Sequence, residues 1–483
     1  MTAFAFVTTM DTNLGKDGTS FGWAIFLLNS VVLFGIHFMH DLPSPLQGVL
    51  QASPQSTNGS EVEPFGNGSD LTGLGFTPFQ YNQLYAIYSI GEGVTAIVAG
   101  IAIDRFGRTA NLIAAGLLSG LGGLAFALGP LLNSRLTILV TMLVGRFLMA
   151  VSNAFLFVLQ GVVILFWFED RVTTAFGAVS CANAAGEVLN FLITKPLYNA
   201  LGLQWVLWIS MILVIVGTSL PATALGYLDS VGASDQYKES RQTRQNKLSF
   251  SDLVELPLQY WLLVFTRVFF NSMIWALIGD ISKFVTDRYG YSEASVVPSY
   301  FAGIFFGLST VGCFCAGRLM DSIGYRLVIT SISILGSMAT LSLLAFTLFP
   351  PHICAVFISI FYSFAAVSVI ACITLVVPTS TVGTAIGITL TIEMCFTAAS
   401  NVVIGLILGQ THEYHLSDAV MQFRWQLVIV YTIGLTGVAF IFSLAANIHN
   451  MQTGGALNKT QSEVTAERHN ENGFQKLRQD EDD

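Results

Sequence analysis

Twelve stretches of about 20 mostly apolar residues, parted by polar connections, leave this chain few ways to fold. They run over 21–38, 81–103, 110–130, 136–158, 173–193, 205–227, 258–281, 295–319, 327–349, 353–377, 383–409 and 425–447. A hydrocarbon layer about 30 Å thick takes such a segment as a helix, because only there are all backbone groups bonded within the segment. Composition agrees, with 53% hydrophobic and only 11% charged residues. The expected fold class is therefore an all-α membrane protein with twelve transmembrane helices.

The first 20 residues hold one Lys and no compact apolar core, so no removable signal peptide is expected and the first span would act as an uncleaved signal. Cys181, Cys313, Cys315, Cys354, Cys372 and Cys395 all fall inside spans, where they read as small packing residues. No cofactor or metal is called for, and no Ser-His-Asp or metal-ligand constellation marks an enzyme. The net charge of -9 sits on loops and on the acidic end 479–483, which suits solvated termini and not a nucleic-acid surface.

Orientation follows from Lys and Arg. The loop 41–80 contains neither, whereas the connections after the second, sixth and eighth spans carry Arg105 and Arg108, then Lys238, Arg241, Arg244 and Lys247, then Arg326. The basic loops are expected to be cytosolic, which makes both termini cytosolic and the loop 39–80 luminal or extracellular. That loop holds two glycosylation sequons, at Asn58 and Asn67. A third match, Asn458-Lys459-Thr460, lies in the expected cytosolic tail and is expected to stay unmodified. The chain thus divides into a cytosolic terminus 1–20, a six-helix half 21–228, a polar linker 229–257, a second six-helix half 258–447 and a tail 448–483.

A repeat strengthens the two-half division. GIAIDRFGR at 100–108 and GRLMDSIGYR at 317–326 share Gly100 and Gly317, Asp104 and Asp321 four residues on, Gly107 and Gly324 seven on, and then Arg108 and Arg326. Arg105 accompanies only the first copy, where the second has Ser322. Such a turn sets a carboxylate at a helix end beside a neighbouring helix, with Gly permitting the turn. Its occurrence at equivalent places resembles the signature loop of the major facilitator superfamily, and Gly145-Arg146 is similar to that superfamily's fourth-helix arginine. These residues are the candidate gating motif. The resemblance implies two six-helix halves that expose a midplane cavity to each side in turn.

Further strings resemble the lysosomal dipeptide transporter branch, major facilitator superfamily domain-containing protein 1. They are His40-Asp41-Leu42-Pro43 with Gln47, Tyr85-Ala86-Ile87-Tyr88-Ser89, Ile103-Asp104-Arg105, Tyr227-Leu228-Asp229, Tyr289-Gly290-Tyr291-Ser292, Val376-Val377-Pro378 and Gly383-Thr384-Ala385. The resemblance implies facilitated movement of dipeptides from lysosomes, a glycosylated accessory subunit as partner, a fourth-helix acid for the peptide amine and a fifth-helix arginine for its carboxylate. Here Ala154 and Ala184 stand about where those charges belong, so the chain diverges at the substrate site.

An ionisable group retained at the bilayer centre costs about 2.5–3.5 kcal/mol or more, and therefore faces a cavity or a partner. Glu92, Arg146, Glu187, Arg267, Asp280, Lys283 and Glu393 fall in or near spans. Glu92 and Glu393 read as gating or proton-carrying carboxylates or as paired packing groups. Glu187, four residues beyond Asn183 on one helical face, suits a cavity wall. Arg267 suits an anionic substrate group, and Arg146 a structural anchor. Lys283 and Asp280, three residues apart, are expected to pair locally or snorkel, and Lys195 beside Pro196 likewise. His37 is either a pH-sensitive gate or an interfacial hydrogen-bonding residue. Gly120-Leu121-Gly122-Gly123 reads as close helix packing.

The candidate substrate-binding set is therefore Arg267, Glu187, Glu393, Glu92 and Asn183. The leading expectation is a secondary transporter of dipeptides or amino-acid-like solutes, with lipid and a small-molecule substrate as partners. A proton-coupled carrier of another organic solute and a non-transporting receptor or scaffold stand as alternatives. Lysosomal membrane is the expected location by resemblance, with the plasma membrane or another endomembrane as alternative, because neither terminus shows a dileucine or tyrosine sorting signal.

Overall fold

A computed structural model describes residues 19–52, 73–168, 172–232, 256–377, 382–410 and 418–460. Asn58, Asn67, most of the linker, the acidic end and the side chains of Asp104 and Asp321 lie outside the described residues. The described elements are helical. In chain order they are α1 (Thr19–Val31), α2 (Phe34–His40), α3 (Gln47–Gln51), α4 (Pro78–Phe106), α5 (Arg108–Leu128), α6 (Arg135–Trp167), α7 (Val172–Leu201), α8 (Leu203–Val214) and α9 (Leu220–Gly232). Then follow α10 (Leu258–Tyr289), α11 (Tyr300–Ile323), α12 (Arg326–Phe346), α13 (Pro351–Val376), α14 (Val382–Leu408) and α15 (Asp418–Gln452).

Among the described residues these make twelve crossings, because α1 with α2 form one span and α8 with α9 another. The first span breaks after Val31, and the break has a partner: the π turn Ile215–Ser219 between α8 and α9. Ile36, in the first turn of α2, has an amide that its own helix cannot satisfy, and it donates to Thr218 Oγ1 at 3.0 Å. Eleven of the crossings are long and apolar enough to span a bilayer by composition. The twelfth, α7, has 30 residues and is long enough, but it carries a polar stripe of Asn183, Glu187, Asn190 and Thr194 at helical spacing. All four are buried, so the polarity faces inward.

Local sequence explains several boundaries. Thr77 and Gln80 form a reciprocal capping box at the start of α4, with bonds of 3.0 and 3.1 Å and Pro78 at the first helical position. Gly107, at φ +84°, makes the turn from α4 into α5. Gly324 at φ +75° makes the matching turn from α11 into α12. The expected close packing of the glycine run is present: a Cβ on Gly122 would lie 2.8 Å from the Gly145 carbonyl, and one on Gly145 2.7 Å from the Gly122 carbonyl. Leu117, Leu121, Leu124 and Leu128 point outward from α5, as a lipid-facing row does.

The chain forms two compact units. The first takes Met1–Leu248, Ile274–Gly307 and Leu390–Val428; the second takes Ser249–Met273, Leu308–Thr389 and Ile429–Asp483. Packing therefore adds to the first six crossings one end of α10, the start of α11, most of α14 and the start of α15. Within the second unit, Tyr260 donates to the Ala385 carbonyl at 2.9 Å, and Asn447 donates to the Leu327 carbonyl at 2.8 Å.

Candidate functional site

The polar stripe of α7 meets polar residues of α1, α2 and α6 inside the first unit. His37 Nδ1 and Glu187 Oε1 are 2.8 Å apart. One turn earlier on α7, Asn183 pairs with Gln160 of α6 through two amide bonds of 3.0 and 3.3 Å. Gln160 in turn donates to the Asn29 carbonyl at 2.8 Å, and Asn29 Nδ2 donates back to the Gln160 carbonyl at 3.3 Å. Ala154 is buried, and half-buried Ala184 sits one turn before Glu187. The polar face of α7 is thus kept, with Glu187 as its charge.

Glu92 lies within electrostatic reach of His40, His37 and Glu393. Nearby, Thr391 donates to the Gly93 carbonyl at 3.1 Å, which seats α14 against α4. Glu393 is 1% exposed. His40 pairs with Asp41 at 3.0 Å and packs edge-on against Tyr88 at 4.5 Å. The first unit therefore holds Glu92, Glu187, Glu393 and Asn183, four of the five expected substrate residues, with Glu187 paired to His37, Glu92 within electrostatic reach of His37 and His40, and Glu393 within reach of Glu92. Carboxylates beside titratable imidazoles suit an ammonium group or a proton.

Arg146 is fully buried and acts as the expected anchor. Its Nε donates to the Leu84 carbonyl at 3.0 Å, and Nη1 to the Met39 and His40 carbonyls at 3.1 and 2.8 Å. The guanidinium also lies 4.6 Å from the Tyr88 ring centre and 5.2 Å from that of Tyr85. One side chain of α6 thus ties the end of α2 to α4.

Arg267, the fifth expected substrate residue, belongs to the second unit. It is half-buried and lines a narrow recess with Thr266, Phe270, Asn271, Ile334 and Val369.

The repeated loops are held by different devices. Arg108 Nε meets Asp229 Oδ2 at 3.0 Å, both groups buried, while Trp167 Nε1 donates to Asp229 Oδ1 at 3.0 Å. Asn111 caps the turn by donating to the Gly107 and Ala102 carbonyls at 2.6 and 3.1 Å. In the second copy the segment after α15 folds onto the loop. Tyr325 and Leu327 amides donate to the Asn458 carbonyl and Oδ1 at 2.8 and 3.0 Å, and Arg326 Nη1 donates to the Lys459 carbonyl at 2.9 Å. Arg105 is exposed, with its guanidinium 5.5 Å from the Phe106 ring. Gly100 and Gly317 are helical, within α4 and α11.

Two expectations need correction. Lys283 does not pair with Asp280: it bonds Asp287, one turn further on, and Glu293, both at 2.6 Å. Asp280 instead takes Gln47 Nε2 at 2.5 Å and Asn82 Nδ2 at 3.4 Å. Residue 280 faces α3 and α4 while residue 283 faces the loop after α10, and no rule of local spacing anticipates those tertiary partners. Lys195 forms no local ion pair either: among the described residues its Nζ lies 5.2 Å from the Tyr198 ring centre. Gln47, Asn82, Gln160 and Asn29 were not singled out as site residues, although a polar amide inside an apolar span was the available signal.

Twelve helical crossings among the described residues, carrying exposed apolar rows and buried carboxylates and amides, define a multi-pass membrane protein of transporter type. The Major Facilitator Superfamily profile matches residues 32–400, and the chain belongs to that superfamily. It is 26% identical over 397 residues to the bovine (Bos taurus) and human (Homo sapiens) lysosomal dipeptide transporter MFSD1, covering 80% of this chain and 79% of each relative. The bacillibactin exporter of Bacillus subtilis is 32% identical over 137 residues, 27% of this chain and 32% of the exporter. Among solved structures, the peptide transporter POT in complex with sulfate matches at a TM-score of 0.64 and 11% identity, over 90% of this chain and 96% of that one. A bacterial homologue of the human lysosomal transporter Spinster matches at 0.62 and 13% identity, over 89% and 98%.

Proposed function

We propose that this transporter moves dipeptides or similar amino-acid-like solutes across an endolysosomal membrane by alternating access, with both termini cytosolic and the loop 39–80 luminal. The observation that carries the reading is the Glu187–His37 pair, one turn from buried Asn183, with Glu92 within electrostatic reach of His37 and of buried Glu393. A zwitterionic solute needs an acceptor for its ammonium and a cation for its carboxylate. Glu187 with Glu393 serves the first role within the first unit, and Arg267, in the second unit, is the cation the sequence offers for the second role. In this reading Ala154 and Ala184 move the charges to new positions and leave the substrate class unchanged. The similarity to the lysosomal dipeptide transporters supports both substrate class and membrane, and the resemblance brings with it a glycosylated accessory subunit.

Uptake of a labelled dipeptide into proteoliposomes tests the proposal. Stripping a buried charge of its partner costs about 2–5 kcal/mol, some thirtyfold to several-thousand-fold in affinity. Glu187→Gln and Arg267→Ala are each expected to remove most uptake while leaving folded protein. Parent-level uptake by both variants refutes the site, and a parent that ignores dipeptides but moves another solute refutes the substrate class.

The His37–Glu187 contact also favours a second reading, proton coupling, since the ion pair exists only with His37 protonated and Glu187 ionised and is broken by protonating Glu187 or deprotonating His37. Uptake driven by an imposed proton gradient without a solute gradient would establish it. Flux of no solute by folded protein would leave a receptor or scaffold.

A further inference from the structure

Asp280 of α10 is buried, as are Gln47 of α3 and Asn82 of α4, which meet it within the first unit. Gln47 Nε2 donates to Asp280 Oδ1 at 2.5 Å. Asn82 Nδ2 reaches the same oxygen at 3.4 Å and also donates to the Pro78 carbonyl at 3.1 Å. Asp280 Oδ2, Gln47 Oε1 and Asn82 Oδ1 are buried without a hydrogen-bond partner among the described residues. Three orphan acceptors on side chains that meet at one carboxyl, with both amide donors turned to its other oxygen, mark a site that lacks a hydrogen.

No cation compensates the carboxyl: among the described residues no basic group lies within ion-pair distance of Asp280. Lys283, on the same helix, binds Asp287 and Glu293 at 2.6 Å. Lys195 lines the recess that holds Lys283 and Glu293, so two ammoniums there already answer two carboxylates. Arg146 of α6 is held by three carbonyls and lies over the Tyr85 ring. From α4, Tyr81 and Tyr85 lie within electrostatic reach of Asp280. From α14 the neighbour is uncharged: a Cβ on Gly405 would lie 3.0 Å from Asn82 Cβ. Asp41, after α2, is paired with His40. An ionised carboxylate sealed off in this way is costly, and a buried acid without a cation becomes neutral by holding a proton.

We propose that Asp280 is a proton-binding site on the side of the protein that carries the loop 39–80, its carboxyl holding one proton taken from water while α3 and α4 are docked on α10. The proton sits on Oδ2, which becomes a donor to an amide oxygen of Gln47 or Asn82 and leaves one orphan acceptor of the three. Docking is made by hydrogen bonds to α10 itself, from Ser44 to the Ile278 carbonyl at 2.8 Å and from Tyr81 to the Gly279 carbonyl at 2.6 Å. When that contact opens, water reaches the carboxyl, and in water an aspartate is ionised above about pH 3.9, so the proton leaves. The docked arrangement thus binds one proton more than the open one; it is favoured as pH falls and loses that advantage as pH rises. Opening rests on the alternating-access reading, whereas the bound proton does not.

The test is infrared spectroscopy of the full chain in detergent at neutral pH, reading the carbonyl stretch of neutral carboxylic acids. The parent is expected to show a band that shifts in deuterated buffer and that Asp280→Asn removes. The amide keeps the shape of the neutral acid, so this variant should fold. Growth on aspartate carrying a heavy carboxyl carbon should shift the same band in the parent, which serves should the variant not fold. Ser44→Ala with Tyr81→Phe, which removes both docking hydrogen bonds, should weaken the band at unchanged pH. Exchanging sodium for N-methylglucamine at constant ionic strength should leave the melting temperature unchanged. No label-sensitive band in the parent, an undiminished band in either variant, or a sodium stabilisation that Asp280→Asn abolishes overturns the assignment. A parent that moves no dipeptide yet shows the band refutes the substrate reading and supports this site.

Discussion

Replacing Arg146 with Met removes one side chain and releases three backbone carbonyls. In the structure Arg146 donates 3.0, 3.1 and 2.8 Å bonds to Leu84, Met39 and His40, with no exposure to solvent. The Met39 and His40 carbonyls sit in the last turn of α2, where the helix itself leaves them unsatisfied. Each buried acceptor stripped of its donor costs about 1–3 kcal/mol. The Leu84 carbonyl lies within α4 and keeps its helical partner, so the loss there is smaller. The loss of the stacking on Tyr85 and Tyr88 adds about 1 kcal/mol. The expected total is about 3–7 kcal/mol, a large share of the stability of a folded domain. At roughly 2 °C per kcal/mol for a chain of this size, the melting temperature should fall by about 6–14 °C. Arg146→Lys should recover only part, since an ammonium cannot reach three carbonyls in the geometry of the guanidinium fork. Thermal unfolding followed by tryptophan fluorescence, with expression and monodispersity controlled, measures the shift. A Met variant that melts within 2 °C of the parent (roughly 1 kcal/mol) refutes the anchoring argument.

Three other outcomes follow from the same geometry. Arg108→Gln and Asp229→Asn should each destabilise by about 3–5 kcal/mol because each leaves a buried charge unpaired, and the double variant should recover part of the loss in denaturation measurements. Asn458→Ala should loosen the second repeated loop, seen as faster amide exchange at Tyr325 and Leu327, while exchange at Gly107 and Arg108 stays at the parent rate. Endoglycosidase treatment should shift the mobility of the parent and leave the Asn58→Gln, Asn67→Gln double variant unchanged, which also checks that Asn458 stays unmodified.

What the sequence made legible depended on the range of the physics. Eleven of the twelve crossings follow from apolar length alone, and the turns at Gly107 and Gly324 follow from a local motif that repeats. The anchor role of Arg146 was legible because a buried guanidinium must find acceptors, whichever carbonyls they are. The partners themselves were not legible. His37 and Glu187 lie 150 residues apart, and Asp280 meets Gln47 233 residues away, and nothing in either local string encodes those pairings. Lys283 shows the same limit at short range, since both Asp280 and Asp287 share its helical face and only the tertiary surroundings chose between them. The break after Val31 was hidden for a related reason: the chain there reads as unbroken apolar sequence, and the hydrogen bond that makes the break affordable comes from Thr218.

The central claim is that this protein is an alternating-access carrier of amino-acid-like solutes, and counterflow tests it most directly. Proteoliposomes preloaded with unlabelled dipeptide are placed in a trace of labelled dipeptide, and the label is followed with time. A carrier whose one site faces each side in turn should accumulate label transiently above its equilibrium level, and Glu187→Gln should abolish the overshoot. Label that rises only to equilibrium in preloaded and empty vesicles alike, or that never enters with folded protein present, contradicts the account.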